Sequence, residues 1–234
     1  MDKRSFIDLV RGWQAIKVQK ALAVKPSFAI MVEASGMTPL HHCAKVNLKK
    51  SGRPAGDAIK TAQALLDTGA NVNHVRLIPD DGELFHATPL WYAVAWGQNP
   101  KLARFLLANG SDSNHCLFAS SWAQDLELTR LLLDHGAEVD PVAFGETPLL
   151  GILKVHRAAV APLLIERGAD INYCDPQGFT ALHHAVKKKF TLKQIRELLD
   201  LGADPKVKNA AGETADEMAR RLGQMGAAKL LTQG

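Results

Sequence analysis

The sequence predicts an all-α repeat solenoid, a stack of helix–turn–helix units that no single pair of short helices could sustain alone. Three observations predict it. A block built around glycine recurs five times: "LLDTGANVN" (Gly69), "LLANGSDSN" (Gly110), "LLDHGAEVD" (Gly136), "LIERGADIN" (Gly168) and "LLDLGADPK" (Gly202). A threonine block recurs in alternation: "MTPLHHCA" (Thr38), "ATPLWYAV" (Thr88), "ETPLLGIL" (Thr147), "FTALHHAV" (Thr180) and a weaker "ETADEMAR" (Thr214). The spacing is nearly fixed, at 21 or 22 residues from Thr to Gly in three copies and 11 or 12 from Gly to the next Thr in three others.

Each element has a physical reason. Threonine is a good N-cap, because its hydroxyl accepts an orphan backbone N–H, and proline at the first helical position gives up a donor the helix would not use. Apolar residues then fall at i, i+3 and i+4: Leu40, Cys43, Ala44; Leu90, Ala93, Val94; Leu149, Ile152, Leu153; Leu182, Ala185, Val186. That pattern is one short buried helical face. A second helix follows, with leucine four residues before each glycine (Leu65, Leu106, Leu132, Leu164, Leu198). The glycine ends it by taking the left-handed conformation of a C-cap. Residues 1–35 read as a divergent opening helix pair, 36–208 as internal repeats and 209–234 as a closing pair, all in a single domain 1–234.

On these blocks the chain resembles the ankyrin repeat family, whose hallmark is a T-P-L-H start repeating at about 33 residues. The resemblance covers nearly the whole chain, as five internal repeats between or overlapping two capping pairs. It implies β-hairpin finger loops between repeats, and partner binding through the fingers and a concave groove lined by the inner helices.

The pattern breaks in three places. Thr38 to Gly69 spans 31 residues, so about ten are inserted around "NLKKSGRPAGDA", which reads as a solvated loop between two helices. Gly69 to Thr88 spans 19, so residues 73–88, "NHVRLIPDDGELFHAT", read as a lengthened finger. The third repeat instead has its missing threonine placed at His115, five residues after Gly110, which removes most of its finger. The long finger carries Leu84 and Phe85 among Asp80, Asp81 and Glu83.

Positions seven and eight residues after each threonine lie away from, or at the margin of, the buried face. They hold Lys45, Trp96, Trp122, Lys154, Lys187, Lys188 and Arg221. Tryptophan beside cations is typical of interface anchors. The expected partner-binding set is therefore Lys45, Leu84, Phe85, Trp96, Trp122, Lys154, Lys187, Lys188 and Arg221. The expected partner is another protein, offering a folded surface or a peptide with an acidic patch and an apolar centre. A nucleotide or single-stranded nucleic acid could also use tryptophans for stacking and lysines for phosphates. Charge argues against it. Residues 1–60 carry 11 Lys/Arg against 4 Asp/Glu and residues 177–234 carry 10 against 6, but residues 61–176 carry 7 against 14.

Other chemistry finds little support. His41 and His183 occupy the fourth position of the T-P-L-H motif, a structural place in the resembled family, and zinc needs three or four convergent ligands. Nothing sets Cys43 or Cys116 beside a base with an orienting third group. No enzyme activity, metal or cofactor is expected. The 234 residues are 47% hydrophobic and 22% charged, enough for a core. Three scattered cysteines, no long apolar run and no secretory leader in "MDKRSFIDLVRGW" lead to the expectation of a soluble, cytoplasmic monomer.

Overall fold

The computed structural model describes residues 1–80, 83–114 and 116–233, the side chains of residues 80, 83 and 84 excepted. His115 and the Leu84 side chain therefore lie outside the described residues. Among the described residues the chain forms fifteen α-helices and one β-hairpin. It divides into two compact units, residues 1–120 with 130–137, and residues 121–129 with 138–234.

The first unit opens with α1 (Lys3–Arg11) and α2 (Ala15–Val24). Then come α3 (Pro39–Lys45), a single turn α4 (Leu48–Ser51) and α5 (Ala55–Asp67). The hairpin β1 (Arg76–Asp80) and β2 (Glu83–Ala87) leads into α6 (Pro89–Ala95) and α7 (Pro100–Ala108). The division runs through α8 (Leu117–Trp122) and α9 (Leu126–Asp134). The second unit continues with α10 (Pro148–Leu153), α11 (Ala161–Glu166), α12 (Ala181–Lys187), α13 (Leu192–Asp200), α14 (Ala215–Arg221) and α15 (Met225–Thr232). The helix pairs and hairpin make this a helical repeat solenoid, as the sequence predicts.

The anchors behave as their chemistry requires. Thr38, Thr88, Thr147 and Thr214 each cap a helix by accepting the backbone N–H three residues on. The weak "ETADEMAR" block is a full cap, since Glu217 returns the bond to the Thr214 N–H at 2.9 Å. Leu65, Leu106, Leu132, Leu164 and Leu198 are all buried. The five block glycines sit at φ between +82° and +97°, in the left-handed region. At Gly202 (φ +97°) an added Cβ would meet nothing within 4 Å, so the demand is conformational alone. Gly202→Ala should lower the unfolding free energy by about 1–2 kcal/mol, measured by urea denaturation.

Side-chain amides tie successive blocks within each unit. Asn73 donates to the Gly110 carbonyl at 2.9 Å and accepts the Asp112 N–H at 2.8 Å. In the second unit Asn172 accepts the Asp204 N–H at 2.8 Å.

The insertion departs from its sequence reading. It is no simple loop, because residues 48–51 close the helical turn α4. Asn47 caps it by accepting the Lys50 N–H, and Gly52 (φ +64°) ends it in the left-handed conformation. A polar capping residue followed five residues later by glycine is enough to form one turn between two helices.

Candidate functional site

In the first unit the lengthened finger is an antiparallel hairpin with Leu77 opposite His86 and Ile78 opposite Phe85. Alternation along the strands gives it two faces. Arg76, Ile78, Phe85 and Ala87 share the inward one. Phe85 is half-buried there, with its ring 4.9 Å from that of Trp91. Arg76 ties the hairpin down, donating to the Ser35 carbonyl at 2.9 Å and to the Tyr92 hydroxyl. The outward face shows Leu77, 51% exposed, beside exposed Pro79 and His86. Sequence reasoning picked the apolar residues near the tip and missed Leu77; the period-two alternation was the signal that could have found it.

At the end of α6, Trp96 is 54% exposed, so its ring meets solvent rather than filling the core. Lys45 is exposed and holds its ammonium 5.2 Å from the Trp96 ring centroid and 5.7 Å from that of buried Tyr92. A cation over a ring face is attracted by the ring quadrupole.

In the second unit Trp122 is 39% exposed, and the Arg157 guanidinium lies 5.3 Å from its ring centroid. Arg157 also donates to the Trp122 carbonyl at 3.1 Å, which fixes the stack. Arg157 came from no sequence rule, since its 35-residue separation from Trp122 leaves no local trace. Phe144, also missed, is 54% exposed in the turn closed by the Ala143–Glu146 bridge.

The remaining cations differ in how free they are. Lys154 is ion-paired with Glu146, and Arg221 forms a two-pronged bond with Glu213 at 2.6 and 2.8 Å. Lys187 sits 5.1 Å over the Phe179 ring. Lys188 is exposed. Lys45 and Trp96 thus form one cluster in the first unit, and Trp122 with Arg157 another in the second.

The histidine doublets are engaged internally. His41 Nδ1 accepts from the Thr38 N–H at 3.2 Å, while Nε2 reaches the Ala87 carbonyl at 3.2 Å. His183 repeats this with Thr180 and the Glu213 carbonyl, at 3.3 and 3.1 Å. Burial pushes the His41 pKa down to about 4. His42 Nδ1 accepts from Arg11, and its Nε2 lies 2.8 Å from Glu33. His184 pairs with buried Asp175 at 2.8 Å. The two buried thiols are equally removed from chemistry. Burial pushes Cys43 up to about 12 and raises Cys116 as well, so neither offers a thiolate near neutral pH. Among the described residues no helix is long and apolar enough to cross a membrane.

The ankyrin repeat family model matches residues 35–76 and 85–116, and the model for three ankyrin repeats matches 116–209. Among curated proteins the chain is similar to an intracellular phospholipase A2 of Caenorhabditis elegans, 29% identical over 184 residues, covering 72% of this chain and 17% of that protein. It is also similar to the BRCA1-associated RING domain protein 1 of the same organism, 38% identical over 77 residues, covering 32% of this chain and 11% of that one. The chain therefore spans less than a fifth of the length of these relatives. Two solved structures share the fold at 21% identity. The human ASB11 ankyrin repeat domain has a TM-score of 0.69, with 97% of this chain and 96% of that one covered. The Bcl-3 ankyrin repeat domain has a TM-score of 0.74, with 97% of each covered. Ankyrin repeats are generally protein–protein interaction modules and typically not enzymes. The matched models span most of the sequence, and the capped helix pairs, left-handed glycines and hairpin agree with them: this chain belongs to the ankyrin repeat family.

Proposed function

We propose that the chain is a non-enzymatic protein-binding module, an adaptor, scaffold or stoichiometric inhibitor, that holds another protein through a tryptophan–cation cluster in each unit and the lengthened finger at 73–88. The observation that carries this reading is the exposure of Trp96 and Trp122, each with a cation already over its ring. An exposed indole held in place by a neighbour loses little conformational freedom on binding, which is the advantage of preorganised anchors. Lys45, Lys187 and Lys188 supply charge for an acidic patch on the partner, and Leu84, Phe85 and Leu77 apolar contact along the finger. Lys154 and Arg221 contribute less, because a partner's carboxylate must first displace Glu146 or Glu213.

No reaction is assigned to the chain. Its buried thiols and histidines are held in unreactive forms by their surroundings, and the phospholipase activity named for one relative belongs to a protein of which this chain matches 17%. The proposed setting is the cytoplasm, its own or a host's, with the chain monomeric and all 234 residues acting as one ankyrin domain.

The test is affinity capture from source-cell lysate, with and without nuclease. Wild type is compared with a folded Trp96→Ala/Trp122→Ala/Lys187→Glu variant. The expected result is a protein that survives nuclease and is lost from the variant. Nuclease-sensitive capture would replace this reading with single-stranded nucleic-acid binding. Equal capture by both baits would put the contact surface elsewhere.

A further inference from the structure

We propose that the insertion in the first internal repeat builds a docking site for an acidic peptide segment of a partner protein, formed by Lys45, Lys49, Lys50 and Trp96. The proposal rests on the protein-binding reading above and gives one of its surfaces a specific ligand chemistry.

The insertion is bonded to α6. Asn47 accepts the Lys50 N–H at 3.0 Å and, from the other end of the same amide, donates to the Trp96 carbonyl at 3.0 Å. The Leu48 N–H donates to the Gly97 carbonyl at 2.8 Å. The turn that carries Lys49 and Lys50 is thereby fixed beside Trp96, and Lys45 reaches the same indole from α3. A typical repeat lacks these ten residues, so the patch exists because of the insertion.

The charges of the patch are unspent. Lys49 and Lys50 are exposed and, like Lys45 over the Trp96 and Tyr92 rings, are paired with no carboxylate among the described residues. The contrast with Lys154 and Arg221, both already paired with glutamate, decides where an incoming carboxylate binds without displacing another. One cation on an exposed indole, with two more on the turn bonded to the backbone at Trp96 and Gly97, suits carboxylates flanking an apolar side chain.

Two other polyanions fit less well. Lys45 already covers a face of Trp96, and Tyr92, the second ring beneath it, is 1% exposed, so successive bases lack a stacking platform. A membrane anchor would need apolar neighbours to enter the interface with the tryptophan. Here the side chains bonded beside it are Asn47 and Gln98.

The test is fluorescence anisotropy with a labelled peptide alternating Glu with Leu and Phe. Its Gln counterpart, oligo-dT and phosphatidylserine vesicles serve as competing probes. Wild type should bind the Glu peptide, and the Lys49→Glu/Lys50→Glu variant should bind it about tenfold more weakly or worse, since reversing a charge adds repulsion to the lost attraction. The Gln peptide should fail, and a Lys193→Glu/Lys229→Glu variant, at two exposed lysines outside the proposed contact set, should match wild type. No binding by wild type, equal binding by the Lys49→Glu/Lys50→Glu variant, or preference for oligo-dT or vesicles overturns the proposal. If that variant still captures the cellular partner as wild type does, the protein-binding reading stands and this site alone falls.

Discussion

Leu106→Ala should lower the unfolding free energy by about 3 kcal/mol, within the 2–5 kcal/mol typical of emptying a fully buried leucine site. Leu106 is 0% exposed on α7, and α7 packs against both α5 and α6, so the lost methyl groups leave a void that fixed helices cannot close. Trp96→Ala removes a larger side chain yet should cost less, about 1–2 kcal/mol, because half of that surface is already in water. Urea denaturation of the two variants beside wild type checks both. The order matters more than either value. A Trp96→Ala loss equal to that of Leu106→Ala would mean that Trp96 is a packing residue, and the partner-binding role of the first unit's cluster would go with it.

How much was legible in the sequence follows from how local each signal is. Thr38 and Gly69 act on their own backbone, by capping a helix or by taking a positive φ, so their meaning can be read at a single position. The weak block at Thr214 lacks proline and histidine but keeps the local hydrogen bonds, and it caps in full. Leu106 and its four equivalents depend on burial, which their spacing encodes. The fate of the cations was not legible. Nothing at position 154 or 221 says that Glu146 or Glu213 lies opposite, eight residues earlier across a turn. Trp122 could be picked by register, but Arg157 arrives from a separate helix pair. The turn α4 was hidden by composition: Gly, Pro and Lys suggest a loop, whereas one asparagine cap and one glycine suffice to close a helical turn. Phe85 and Leu77 show the remaining gap. The sequence marks a lengthened finger, but which face of the hairpin turns outward depends on where Trp91 and Tyr92 receive it.

Acid should destabilise the protein between about pH 6.5 and pH 4, and His41→Gln should flatten that slope. The cause is a fixed tautomer. The Thr38 N–H donates to His41 Nδ1, so that nitrogen must carry no proton, and Nε2–H donates to the Ala87 carbonyl, the residue before the next threonine cap. Protonating Nδ1 would set two N–H groups against each other inside a site with no solvent exposure. Burial, the largest cause, lowers the His41 pKa from 6.5 to about 4. The native state is therefore the one that resists the proton. Between the two values the unfolded chain binds a proton that the folded chain refuses, so stability falls as the pH falls. One histidine contributes about 1.4 kcal/mol per pH unit over that window, about 3 kcal/mol in all. His183 makes the same bridge to the Glu213 carbonyl in the second unit, and its pKa is also lowered by burial. In His41→Gln the amide can serve either the Thr38 N–H or the Ala87 carbonyl but does not titrate. That variant should be less stable than wild type at pH 7 and lose less on moving to pH 4.5. Urea midpoints at both pH values, for wild type, His41→Gln and His183→Gln, give the measurement. Parallel losses in wild type and His41→Gln would show that His41 takes up its proton in the native state near the ordinary value, and that the bridge to Ala87 does not hold it neutral.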